Sequence, residues 1–159
     1  RQEEQLRNSL IPMPGKLDLD VSKIHYLHIR DISFDYLRPS PYSPQEEQAI
    51  QFRVDIEKNI SEENMIVILQ FKIQLKAFDQ SKEEVTGSYI SEHEFKVENL
   101  EDFIKKGDDF FEVDDLLDNL LTGLAYSTVR GIVLQKFRGT LFSDFVLPLA
   151  RPVDLTGKN

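Results

Sequence analysis

At 159 residues the chain has the length of one domain, enough to bury roughly 70% of the surface its unfolded form exposes. It carries 28 acidic against 19 basic residues, a formal net charge of −9 that disfavours nucleic acid and anionic membrane as partners, because phosphate-rich surfaces are bound through Lys and Arg. With no cysteine, disulfides and thiolate metal sites are excluded; with no secretory leader pattern and no apolar run longer than Met65 to Leu69, the expectation is a soluble, cytoplasmic protein.

In chain order, residues 1–20 read as a flexible, polar arm broken at Pro12 and Pro14, and residues 21–159 as a single domain. Val21 to Leu37 is a predicted strand whose apolar residues change face, Leu27 and Ile29 on one parity, Ile32, Phe34 and Tyr36 on the other. A bulge near Arg30–Asp31 is the simplest repair. Pro39, Pro41 and Pro44 enforce a loop, and then Ile50, Phe52, Val54 and Ile56 alternate with Gln51, Arg53, Asp55 and Glu57 as a half-buried strand. After a turn around Asn59 to Asn64, Met65, Val67, Leu69, Phe71, Ile73, Leu75 and Ala77 face inward opposite Gln70, Lys72, Gln74 and Lys76. A polar turn, Asp79 to Glu83, precedes a fourth strand marked by Val85, Tyr89, Phe95 and Val97.

The short connections predict an antiparallel meander with one wet face. Leu100 to Val113 reads as a short helix or turn with an acidic loop, after which Asp114 or Asp115 caps a long helix. Its stripe is Leu117, Leu120, Leu121, Leu124, Thr128, Val129, Ile132, Val133, Lys136 and Phe137. Gly123 and Gly131 each weaken that helix by about 1 kcal/mol relative to Ala, which suggests close approach of another backbone. Gly139 reads as the helix stop, followed by a short irregular C-terminal tail carrying Pro148 and Pro152. The fold class is α+β. One helix covers only part of such a sheet, so the remaining apolar surface predicts a homo-oligomer, dimer or tetramer, with the first strand as the pairing edge.

Candidate chemistry is sparse. His25 and His28 fall on opposite faces of a regular strand and so do not share a metal, and His93 reads as a surface or edge histidine. Asp108, Asp109, Glu112, Asp114, Asp115 and Asp118 lack the ligand alternation and central glycine of a calcium loop and read as a solvated acidic stretch. No nucleophile elbow, phosphate-cradling loop or dinucleotide fingerprint occurs, so no cofactor and no catalytic residue is assigned. What stands out is apolar material in irregular settings: Phe110 and Phe111 in the acidic loop, Phe142, Phe145 and Leu147 after the helix. These are the candidate client-binding residues, placed near the surface by the irregular backbone around them.

The order of strands, helix and proline-bearing tail resembles the SecB family of export chaperones, and local blocks carry the resemblance. Arg30-Asp31-Ile32-Ser33-Phe34-Asp35 is similar to the family's Lys-Asp-Ile-Ser-Phe-Glu, and Phe95-Lys96-Val97 to its Phe-x-Ile. Thr128-Val129-Arg130 with Arg138-Gly139-Thr140 resembles its Tyr-Ala-Arg and Arg-Gly-Thr/Gly helix, and Pro148 with Pro152-Val153-Asp154-Leu155 its Leu-Ala-Pro-Val-Asn-Phe. The resemblance implies a homotetrameric, ATP-independent holdase that wraps unfolded precursor proteins and delivers them to the SecA translocase motor, with no catalytic step. It further implies partner docking through Asp31 and Asp35. The family's fourth-strand Glu falls near Ser88, and export-type members continue past the position of Leu155 with a second helix and a polar tail. Two rivals stand beside this reading: a SecB-like chaperone dedicated to one partner such as an antitoxin, and a small ligand-binding protein or enzyme using the cleft between sheet and helix.

Overall fold

The computed structural model describes residues 19–37, 49–78 and 82–156. The expected arm, apart from its last two residues, the proline loop and the first part of the turn after the third strand lie outside them. The described chain forms β1 (Ile24–Leu37), β2 (Gln51–Ser61), β3 (Ile66–Phe78) and β4 (Glu84–Val97). A small hairpin of β5 (Ile104–Lys106) and β6 (Phe111–Val113) follows, then the long helix α1 (Asp115–Lys136) and the short helix α2 (Pro152–Thr156). An α+β fold with a four-stranded antiparallel sheet followed by a long helix is as the sequence predicts.

The strand order corrects the expected meander. Only β2, β3 and β4 run as consecutive neighbours; β1 lies against β4, giving β1-β4-β3-β2, so that β1 and β2 are the two edges. This is the order of a Greek key, in which one strand lies beside the last of three hairpin-connected strands. The tail also holds the single helical turn of α2, where an irregular end was expected.

Strand β3 supplies the core as its alternation predicts: Val67, Leu69, Phe71, Ile73, Leu75 and Ala77 are all buried. Met65, expected to begin that inward row, sits instead in the turn before it with φ of 57°, a left-handed conformation that costs a non-glycine residue roughly 1–2 kcal/mol. On β4 the same parity buries Val85, Tyr89, Ser91, His93, Phe95 and Val97. Helix α1 lies on this face with Leu117, Leu121, Ala125, Val129 and Val133 buried at helical spacing. Asp114 caps it, accepting from the Leu116 amide at 2.9 Å, and the chain leaves the helix through Gly139 at φ of 77°.

Past the helix the Phe137 and Phe142 rings meet edge to face with centroids 5.6 Å apart. Gly87 of β4 makes room for them, since a Cβ there would stand 2.5 Å from the Phe137 ring. An ion pair between Lys58 on the inner face of β2 and the buried Asp118 ties α1 to that edge strand of the sheet. The glycines within α1 find less than the sequence suggests. A Cβ at Gly123 would meet only the Pro152 ring, at 3.5 Å, and one at Gly131 would meet no described atom within 4 Å.

Candidate polypeptide-binding surface

Two bulges shape edge strand β1, one between Tyr26 and His28 and one between Asp31 and Ser33. Each turns the strand by one residue, so Ile24, Tyr26, Ile29, Asp31, Phe34 and Tyr36 all oppose inward residues of β4. This resolves the apolar change of face read from the sequence. It also puts His25 and His28, opposite Lys96 and Glu94, together on the wet face, where His25 Nε2 pairs with Glu98 at 2.9 Å.

The second bulge separates the acidic pair. Asp31 opposes the buried Ser91 and Asp35 opposes the outward Ser88, so the two residues stand on opposite faces of the strand. Asp31 receives Lys136 Nζ at 2.6 Å and a hydrogen bond from the Tyr89 hydroxyl, which together hold its carboxyl below the usual range. Burial, and then Asp31, push the Tyr89 phenol up in turn.

His93 is wholly buried, contrary to the surface reading. Its Nδ1 meets the Tyr26 hydroxyl, its Nε2 lies 2.7 Å from Ser91 Oγ, and Phe71 stands edge-on with centroids 5.3 Å apart. Burial lowers its pKa to about 4, so the ring is neutral near pH 7. Both ring nitrogens are engaged, and the network fastens β1 to β4.

Helix α1 reaches β1 through Phe34 and Phe137, whose centroids lie 5.0 Å apart, and through Lys136 and Asp31. It leaves the strand largely uncovered: Tyr26, Leu27, Ile29, Ile32, Phe34 and Leu37 are all exposed, as is Leu124 of the helix. An edge strand bearing such a row offers open backbone and apolar side chains together, the combination that captures another chain.

The five candidate client-binding residues divide. Phe110 and Phe111 stand on the β5–β6 hairpin, 55% and 43% exposed, and present apolar surface as expected. Phe145 is half-buried against the core, with Phe52 at 5.8 Å. Phe142 and Leu147 are 0% exposed, so the expectation that they sit at the surface is corrected: irregular backbone carries their side chains inward. The chain from Phe142 to Ala150 crosses α1 as a strap, received by Tyr126 Oη on the Pro148 carbonyl at 2.7 Å and by Arg130 Nε on the Leu147 carbonyl at 2.7 Å. Tyr126 and Tyr26 carry no mark in the sequence reading, where Phe52 stands only as a strand residue and Arg130 only within a resemblance block. His93 had a signal, its shared parity with Tyr89, Phe95 and Val97.

The cleft between sheet and helix is filled by Phe71, Tyr89, Leu121 and Val129, all at most 1% exposed. Two concavities among the described residues lie chiefly on the wet face, one lined by Arg53, Gln74, Lys76, Glu84 and Ser88, the other by His28, Arg30, Ile68, Glu92 and Glu94. Among the described residues no group of three or more His, Asp or Glu is placed to hold a metal ion, and no helix is long and apolar enough to cross a membrane.

No protein-family model and no curated protein matches the chain. Among solved structures it is similar to the Mycobacterium tuberculosis SecB-like chaperone Rv1957, seen in complex with a ChAD peptide from the Rv1956 HigA1 antitoxin. That likeness has a TM-score of 0.57 at 12% identity and covers 82% of this chain and 92% of that one. A Streptococcus agalactiae protein of unknown function matches with a TM-score of 0.35 at 14% identity, covering 80% of this chain and 96% of that one. The exposed apolar edge described above is thus carried on the fold of a SecB-like chaperone.

Proposed function

We propose that this protein is a SecB-like, ATP-independent holdase that keeps unfolded polypeptides from aggregating, acting as a homo-oligomer in the cytoplasm. The observation that carries the reading is the open apolar edge of β1, with the exposed Phe110 and Phe111, on a fold whose solved neighbour binds a peptide. Affinity in such a site sums over apolar contacts at roughly 25 cal/mol per Å² buried, less ordering costs, and needs neither catalysis nor a cofactor. The surplus of acidic side chains keeps a loaded complex soluble.

Between a general export role and a dedicated one, the dedicated role has the better support. The solved neighbour is bound to an antitoxin peptide, and the register of Asp31 and Asp35 on opposite faces of β1 lends no support to a paired docking surface for SecA. Recovery of one dominant partner on native pull-down is expected, whereas a spread of exported precursors together with SecA would favour export. The test of the reading itself is light scattering of a chemically denatured client diluted with the protein at stoichiometric ratio and without ATP. Delayed aggregation is expected, and no delay with any of several clients would end the holdase reading.

A further inference from the structure

His93 is a buried titratable group on the seam between an edge strand and its neighbour. It opposes Ile29 within residues 28–31, a stretch that the two bulges separate from the rest of the β1 ladder. Side chains at the margins of this stretch fasten it. Tyr26 takes His93 Nδ1, while Asp31 accepts from the Tyr89 hydroxyl and from Lys136 Nζ.

The surroundings of the ring leave a second proton without a partner of its own. From β1 come Tyr26 and Asp31, and from β4 Ser91 and Tyr89. Strand β3 brings the Phe71 ring, on which Tyr126 of α1 stacks, and α1 also brings Lys136, spent on Asp31. Arg30 and Glu92 pair on the opposite, wet face. Protonation turns both ring nitrogens into donors and places a cation among these groups. Asp31 is the charge that favours the cation, but its oxygens already serve Lys136 and Tyr89. The imidazolium therefore needs water. Water reaches it at least cost through β1: β3 is paired on both sides and α1 is held by its buried stripe, whereas β1 is an edge with an interrupted ladder.

We propose that the His93 network is an acid-operated latch: protonation of the ring frees residues 28–31 of β1 from β4 while β2, β3 and the remainder of β4 stay paired. Opening leaves the backbone of residues 91–94 without a partner on that side, a template to which a client strand adds. This client step rests on the holdase reading; the latch does not. Because burial depresses the pKa of the ring, the closed seam is at full strength above pH 6.5 and weakens as the pH falls towards about 4. With an open ring titrating at 6.5, the open fraction grows about eightfold between pH 7 and pH 5.5.

Amide hydrogen exchange, corrected for the intrinsic pH dependence of each amide, tests the latch at pH 7 and pH 5.5, both above the pI of about 4.8. The amides bonded across the seam in residues 26–31 and 91–95 are expected to lose about eightfold in protection relative to β2 and β3. His93→Gln, whose amide bonds without titrating, is expected to show no such loss. Protection falling evenly through β2 and β3, or falling equally in His93→Gln, overturns the latch. Tyr26→Phe leaves His93 in place: without its hydroxyl on Nδ1 the same amides are expected to exchange faster already at pH 7, and parental exchange there also overturns it. The client step is read with reduced, carboxamidomethylated pancreatic trypsin inhibitor, a permanently unfolded probe. The unsubstituted protein is expected to bind it several-fold tighter than His93→Gln at pH 5.5 and equally at pH 7. Equal binding at both values overturns the added template and leaves the holdase reading intact; no binding by either protein at either pH removes the holdase reading itself.

Discussion

Phe142 and Phe110 show how far one side-chain type departs from itself with context. Phe142 is 0% exposed and rests against Phe137 and Tyr36, so Phe142→Ala is expected to lower stability by about 3–5 kcal/mol in urea unfolding. Phe110→Ser and Phe111→Ser, on the exposed hairpin tip, are expected to cost about 0.5 kcal/mol or less while weakening client holding. A Phe142 variant as stable as the parent would contradict the buried placement. At His93 the sign of the pH effect follows from burial. Its folded pKa of about 4 lies below the ordinary 6.5, so between these values the unfolded chain binds more protons than the folded one. Stability is therefore complete above pH 6.5, falls as the pH drops towards 4, and has no further loss from this group below that. The urea midpoint is expected to fall from pH 7 to pH 5, with a shallower fall in His93→Gln. Equal slopes in the two proteins would show that the ring is not the titrating group.

Strand β1 is the element in which sequence and neighbours disagree most about direction. Its apolar residues do not keep one parity, and the bulges at Leu27 and Ile32 convert that irregular pattern into a single inward row. The two bulge residues themselves are left outside the ladder and exposed, so changing them disturbs the monomer little. If a second copy rather than a client occupies the β1 edge, leaving client holding to Phe110 and Phe111, Leu27→Lys with Ile32→Lys brings like charges together across the interface and desolvates them. Light scattering is then expected to move from dimer or tetramer to the 18.5 kDa monomer with the circular dichroism unchanged. An oligomer of unaltered size would place the interface elsewhere. Helix α1, by contrast, is settled largely by its own residues: the Asp114 cap and the Gly139 exit appear where the sequence puts them, whereas the buried stripe is shifted, with Leu124 exposed and Ala125 and Tyr126 buried in its place.

At the scale of the whole molecule, the net charge of −9 and the apolar edge make opposite claims on a client, and salt separates them. Screening shortens the reach of surface charge to about 3 Å at 1 M, whereas apolar burial persists, so aggregation suppression is expected to survive high salt. Its disappearance would assign the binding to charge. The local order of the chain was legible because it depends on residues close in sequence: the alternation of β2 and β3, the capped helix, the turns and the α+β composition. Even the SecB-like arrangement could be read from short blocks such as Arg30 to Asp35. Strand order, by contrast, depends on which edge of β4 a distant strand reaches, and nothing within β1 specifies that. The same holds for the surface. Asp31 and Asp35 share a parity in sequence and are parted by a bulge, while Phe142 and Leu147 lie in irregular backbone and are nevertheless core. Sequence by itself determined the periodicity and order of elements, because those are set by backbone geometry over a few residues; the tertiary structure alone decided which apolar groups water still reaches, because burial is a property of what packs from far along the chain.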